Sequence, residues 1–505
     1  MWLLLCVGNA QLAVAECSGL WCISAGGQSG GWRIKWCSRI WRRWLAQRRA
    51  DRQDAGADWV VDPVPAYIER DLRKYLECGI LAHGFARLRC EKCGQDLLVA
   101  YSCKGRGVCA GCNTRRMVET AAHMVEHEFP AVAVRQWVVV LPKRLRYFLN
   151  VDAGCLNQVA GIAMSEVQRA TAGASTSTAQ SARSGGELFV HRFGATLNAH
   201  VHLHFCMLDG VVAQGRQGLA FRGAQVDEAC VERVQARVRQ RVLGLFEGRG
   251  LLSRETVAVM QGWGHSGGFS VHAGVRVAAQ DSAGRERLLR NSARPMFSGE
   301  RLVWAGGGAQ VRYRLPWAAL QGHRPEQQQQ RSIELRLSAS EFLDRVAALI
   351  PPPRKHRHRY FGVLAPNSPW RAQVVAQAGR KSGAGSKAPR PKTVRTDFGA
   401  TRAGHAARYL WAQLLARIYG VFPLKCSGCG GRVRLIGFIK EPATVRQILE
   451  HVGEPTSAPA IAAAHSPPLE MKIGQELDAP EAVFEAIPEL EFDQTANLRA
   501  DAGHD

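Results

Sequence analysis

Acidic side chains are scarce in this chain: 43 Asp and Glu stand against 66 Lys and Arg in 505 residues, a formal charge of +23. So large a shortage of carboxylates attracts polyanions, and nucleic acid is the partner to expect. Any diffusely basic protein shares that property, so charge needs a second, independent signal. Long apolar runs are missing too. No later segment reaches the ~18 consecutive apolar residues of a membrane span, which argues against a membrane-spanning role. The apolar opening "MWLLLCVGNAQLAVAEC" lacks the positive start of a secretory signal. The next stretch, "GGWRIKWCSRIWRRWLAQRRADR", is an unpromising beginning for an exported domain. What the chain does have is 15 cysteines, an odd number in tight clusters. That pattern does not suit a secreted disulfide scaffold; it fits metal binding in a reducing cytoplasm.

At this length, with 46% hydrophobic residues, two or three globular units are expected. Residues 1–62 read as a basic, Trp-rich extension, helical from Arg33 or surface-seeking, or as an upstream extension of the reading frame. Apolar spacing predicts a helix through Tyr67, Leu72, Tyr75 and Leu76, then a cysteine-rich stretch to about residue 117. "QWVVVL" and "ELFVHRFG" read as strands, separated by a helix over "KRLRYFLNVDAGCLNQVAGIAMSEVQRA". A helix follows with Val231, Val234, Val238 and Val242 on one face. Strands with helices packed on one side make an α+β architecture. Residues 372–400 have the composition of a basic linker, 401–455 form a small C-terminal unit with one more CxxC, and 456–505 an acidic, disordered tail.

The sharpest local motif is Cys90-x2-Cys93, fifteen intervening residues, then Cys109-x2-Cys112. Two CxxC turns at this spacing can bring four thiolates onto one structural Zn²⁺; the bland alternative is four buried free thiols. Cys103 and Cys78 lie close enough to join a second ion or to swap in as ligands. Lys92, Lys104, Arg106, Arg115 and Arg116 surround these knuckles with charge suited to phosphate. Cys426 and Cys429 supply half of another zinc site, to be completed by His451 or His405, or else a structural turn.

In "LNAHVHLHFCMLDG", His200, His202 and His204 fall at every second position. On a strand they share one face while Val201, Leu203 and Phe205 share the other, the arrangement of an open divalent-metal site. His356 and His358 imitate the spacing, but their basic surroundings favour phosphate contact or exposure.

Together "RLRCEKCGQDLLVAYSCKGRGVCAGCNTRRM", "LPKRLRYFL", "HVHLHFCMLDGV", "HRHRYFGVLAPN" and "FPLKCSGCGG" resemble, over about residues 63 to 455, the HUH rolling-circle insertion-sequence transposases with an amino-terminal zinc-binding domain. The resemblance implies a zinc-binding domain at 63–132 and an HUH-type antiparallel sheet with packed helices at 133–371. It also implies a cytoplasmic enzyme that nicks and transfers single-stranded DNA at the ends of a mobile element. The family's His-hydrophobic-His pair, which binds Mg²⁺ or Mn²⁺, falls on His202-Leu203-His204, with His200 as an additional candidate. The chain departs from the family where the nucleophilic tyrosine belongs. For the pattern R-Y-x-A-R-P it reads Arg290-Asn291-Ser292-Ala293-Arg294-Pro295. Tyr360, in basic surroundings, is the substitute nucleophile to examine, against a plain packing role. Two further readings follow: a zinc-dependent DNA-binding protein that does not cleave, and a metal hydrolase that would need Asp209 as its base.

Overall fold

The computed structural model describes residues 3–5, 12–17, 20–24, 44–48, 64–175, 181–215, 218–297, 301–305, 310–315, 334–353, 355–378, 424–426 and 428–458. Most of the 1–62 extension, nearly all of the basic linker, the start of the C-terminal unit, His405 and nearly all of the acidic tail lie outside these residues.

Its centre is an antiparallel sheet. The strand order is Ser270–His272, Val134–Val140, Ala199–Leu208, Gly185–Phe193 and His358–Gly362, with Arg276–Val277 also paired to Val134–Val140. Period-two alternation in the histidine strand Ala199–Leu208 gives this sheet two different faces. Val201, Leu203, Phe205 and Met207 pack with Trp137, Val139 and Leu188 under two long helices, Ala153–Gly173 and Glu228–Gly248. His202, His204, Cys206 and Leu208 point the other way. That side is closed by the helix Ser282–Ser292, through Leu288 and Leu289, and by Ala121, Met124 and Phe129 from the zinc-binding end of the chain. Helices therefore cover both faces and not one: the second face carries the histidines, but Phe189, Cys206 and Leu208 give it an apolar part on which Leu288 and Leu289 pack.

Local signals set the boundaries. The expected single helix after Val140 is two, Lys143–Val151 and Ala153–Gly173, because Asp152 breaks the run. Its Oδ1 accepts from the Gly154 and Cys155 amides at 2.7 and 3.0 Å, an N-cap. Asp227 and Asp281 cap the following helices in the same way. Ser338 and Glu341 form a reciprocal capping box for Ala339–Leu349.

That last helix anchors the zinc-binding end to the rest. Phe342, Val346 and Leu349 share a core with Ile68, Leu72 and Leu76 of the helix Ala66–Glu77 and with Trp44 of the helical turn at 44–48. The Trp44 indole donates to Asp344 at 2.7 Å, and Arg48 pairs with the same carboxylate. At least this part of the 1–62 segment is thus built into the core.

The zinc-binding end has its own sheet. The hairpin Phe85–Cys90 and Asp96–Ala100 is joined along its edge by Val433–Ile439, pairing Val433 with Cys90 and Ile439 with Phe85. The helix Pro442–His451 then lays Val445 and Leu449 on Phe85 and Leu98. The C-terminal CxxC segment is accordingly part of this module and not a separate unit. Its alternating apolar residues cover a sheet face that the hairpin alone would expose.

Candidate metal centres and cationic cleft

The cysteines assemble as two clusters, and neither is the single set expected from spacing. Cys78, Cys103, Cys109 and Cys112 form one; Cys90, Cys93, Cys426 and Cys429 form the other. The hairpin explains the partition. Cys90 and Cys93 occupy its tip, while Asp96–Ala100 runs back by five residues, about 17 Å at strand rise. The Tyr101 carbonyl then accepts from the Gly79 amide at 2.9 Å, which returns Cys103 to Cys78. Cys109 N-caps the helix Ala110–His123, and Cys112 lies in its first turn, facing the same pair.

In the first cluster Cys112 Sγ lies 3.6 Å from Cys78 Sγ and 3.5 Å from Cys103 Sγ, and Cys109 lies 3.6 Å from Cys78. Tetrahedral Zn²⁺ with bonds of about 2.3 Å sets sulfurs about 3.8 Å apart, so these thiols are spaced as ligands. The Cys112 thiol is held well below its usual range, first by hydrogen bonds from Cys103 and then from Cys109. The basic residues near the cysteines in sequence take different positions. Arg106 and Arg116 turn into a cleft, while Lys92 and Lys104 are exposed and Arg115 is half-buried.

In the histidine site the pair His202 and His204 has a third residue from elsewhere in the chain, and it is not His200. His202 and His204 are joined by His191, which sits opposite His202 on the neighbouring strand; their ligand atoms all lie within 4.8 Å of one another. His191, His202 and His204 are 3%, 7% and 1% exposed, so water does not satisfy these rings. His200 falls outside the group. Its contribution is a carbonyl, which accepts from His202 Nδ1 at 3.0 Å and leaves Nε2 free to bind. His191 donates from Nε2 to the Ser292 carbonyl at 2.6 Å, leaving Nδ1 buried without a partner. For His204 the carboxamide of Gln136 lies 3.1 Å from Nδ1, and Nε2 is buried without a partner. The Gln136 oxygen is also unpartnered; turning it to face the ring would give up the amide's 3.1 Å bond to Ser292 Oγ and give all three residues the same logic, outer nitrogen held and inner nitrogen bare. Burial, followed by the Arg294 charge, lowers the His191 pKa to about 3. Burial, followed by the neighbouring imidazoles, holds His202 and His204 well below their usual range. At neutral pH these are neutral donors. His191 was not legible because its membership depends on which strand pairs with the histidine strand.

Asp209 cannot serve this group. Its carboxylate is 1% exposed and clamped by Arg135 at 2.7 Å and Arg276 at 2.5 Å. One residue beyond Leu208, it leaves the strand toward the side of Met207, whose cross-strand partner is Arg135.

Asn291 is half-buried at the C-terminal end of Ser282–Ser292. The hydroxyl that does touch the site is Ser292, whose Oγ is committed to the Leu288 carbonyl at 3.0 Å and to Gln136 at 3.1 Å. Tyr360 shares the sheet face but lies a row away, opposite Glu187 and beneath Arg371, 5.0 Å from the ring centre. Burial, then the charges of Glu187 and Glu128, raise its phenol well above the usual range, the opposite of an activated nucleophile. It is a packing residue among Phe189, Leu364 and Trp370.

Beside the histidines opens a cavity of about 230 Å³, lined by Arg106, Arg116, Arg192, Arg294, Arg357 and Arg359 together with Lys355, His356 and His358. Among the described residues, no carboxylate lines it. Arg357 is lowered to about 10 by burial, then by Arg106 and Arg116, so these cations are crowded at a cost that an anion would relieve. Arg106 donates to the Lys355 carbonyl at 2.6 Å, and Arg357 to Asn113 Oδ1 at 3.1 Å, which fixes the zinc-binding module against the last strand of the sheet.

Comparison with known proteins finds two family models, both of transposases, one of them a transposase zinc-binding domain. Residues 185–371, which hold the histidine strand and its neighbour Gly185–Phe193, match the transposase family model Y2_Tnp. Residues 48–141 match the transposase zinc-binding domain of the IS91 type. No curated protein and no solved structure matches the chain. Among the described residues, no helix is long and apolar enough to cross a membrane.

Proposed function

We propose that this transposase is of the HUH rolling-circle type, that it holds single-stranded element ends in the cationic cleft beside a divalent ion, and that Asn291 impairs its covalent cleavage step. The observation that carries the reading is the inward-facing set of imidazole nitrogens, two of them buried and unpartnered, at the edge of an anion-seeking cleft. His191, His202 and His204 would hold a divalent ion, and such an ion, when bound, would supply Lewis-acid polarisation of a phosphate. Three neutral imidazoles without a carboxylate are a softer donor set than Mg²⁺ prefers, so Mn²⁺ is the better match of the two.

The chain's own groups do the rest. Arg106, Arg116 and Arg357 bind and orient the DNA backbone, and Ser292 positions His191 through its carbonyl. An amide at 291 cannot form a phosphodiester with DNA, and neither Ser292 nor Tyr360 is placed to replace the tyrosine. The second reading, a DNA-binding protein that does not cleave, shares all of these groups and differs only in having no covalent step. A hydrolase based on Asp209 is disfavoured by the Arg135 and Arg276 clamp.

Titrating the zinc-loaded chain with Mn²⁺, followed by electron paramagnetic resonance, tests the metal site. His202→Ala and His191→Ala should each weaken Mn²⁺ binding at least tenfold, whereas His200→Ala, which keeps the carbonyl, should change it little. Equal Mn²⁺ affinity in wild type and His202→Ala would remove the basis of the proposal.

A further inference from the structure

We infer that Cys90, Cys93, Cys426 and Cys429 form a second zinc centre: a zinc ribbon split across the chain, whose two halves are separated by more than 330 residues of sequence. The matched zinc-binding domain ends at residue 141 and so contains only half of these ligands.

The two halves have the same construction. In Cys90–Gln95 the Gly94 amide donates to the Cys90 carbonyl at 3.0 Å, and Gly94 has φ 74°. In Cys426–Gly431 the Gly430 amide donates to the Cys426 carbonyl at 2.9 Å, and Gly430 has φ 67°. Each turn is also closed by its first cysteine: the Cys90 amide donates to the Gln95 carbonyl, and the Cys426 amide to the Gly431 carbonyl, both at 2.8 Å. Glycine after the second cysteine supplies the left-handed backbone that lets both thiols point the same way. Two such knuckles face each other across the cluster. Cys90 Sγ is 3.5 Å from Cys429 Sγ, and Cys93 Sγ is 3.7 Å from Cys426 Sγ, the spacing of a tetrahedral thiolate site.

The close approach of the two knuckles requires a glycine at 431. A Cβ on Gly431 would meet the sulfurs of Cys90 and Cys429 at 3.1 Å and the Lys92 side chain at 2.7 Å. The backbone pairing of Val433 with Cys90 sets the second knuckle in register with the first, independently of any thiol contact. Zinc here ties the strand Val433–Ile439 to the hairpin, so this module is completed by residues more than 330 positions away in sequence.

Zinc retained by the purified full chain after desalting tests this. Wild type should hold two ions per chain. Cys90→Ser/Cys93→Ser should hold one, Cys426→Ser/Cys429→Ser one, and the four-fold combination still one, because both pairs serve the same ion. Cys109→Ser/Cys112→Ser combined with Cys426→Ser/Cys429→Ser should hold none. One ion in wild type, or loss of both ions when the two knuckle pairs are combined, would overturn the split ribbon. Cadmium NMR of the intact wild-type chain needs no variant. Two all-thiolate resonances are expected, and a single one contradicts the proposal.

Discussion

At position 291 an amide stands next to a hydroxyl, and the chemistry of the site turns on their difference. Ser292 reaches the histidines but spends its oxygen on the Leu288 carbonyl and Gln136, while Asn291 offers no group that can leave a phosphodiester behind. A second residue of interest is Glu187, fully buried with neither carboxylate oxygen hydrogen-bonded. Burial, then the neighbouring Glu128, pushes its pKa up to about 9. His358 lies 3.7 Å away, but burial lowers its pKa, so the two are neutral neighbours and not an ion pair. Below the ordinary carboxyl value of 4.5 the folded and unfolded chains both hold this proton. Between there and about 9 only the folded chain does, so its contribution to stability falls as pH rises. Glu187→Gln should therefore melt several degrees above wild type at pH 8, with the gap widening from pH 6 upward. A pH-independent gap in thermal melts would show that the carboxyl is ionised in the fold. Period two made His202 and His204 legible in the sequence. Glu187 and His191 were not, since neither belongs to a local pattern and both acquire meaning from strand pairing.

The elements explain why the right cysteines were found in the wrong groups. Two CxxC motifs fifteen residues apart look like one site only if the intervening chain folds back on itself compactly. Here it forms a hairpin whose tip carries one pair and whose base receives the other. Cys103, read as a possible partner, is a full member of the basal cluster. Cys426 and Cys429 are half of a site, as read, but thiols far back in the sequence complete it, and His451 does not. The basic strand His358–Gly362 and its approach likewise gain a role from packing, since they form one wall of the cleft whose other wall is the zinc-binding module. Arg357→Gln should lower affinity for single-stranded DNA about three- to tenfold and reduce the slope of log affinity against log salt by roughly one phosphate's worth, about 0.7. An unchanged slope would place Arg357 off the DNA path.

At the scale of the whole molecule, the scarcity of acids acts locally. The excess positive charge includes a cleft that, among the described residues, is lined by no carboxylate; it lies next to a cluster of neutral imidazoles, and parts of the chain that match two transposase models contribute to its walls. Composition showed the sign of the partner, and the α+β class was readable from strand and helix spacing. The covering of both sheet faces, and the closure of the zinc-binding module by the C-terminal strand, depend on contacts too distant in sequence for any window to reveal. The account places a metal site and a DNA path beside a missing nucleophile. Incubating the purified chain with single-stranded element-end DNA and Mn²⁺, then resolving the products under denaturing conditions, tests this most directly. The account predicts no covalent protein–DNA adduct from wild type and an adduct from Asn291→Tyr; an adduct from wild type would contradict it.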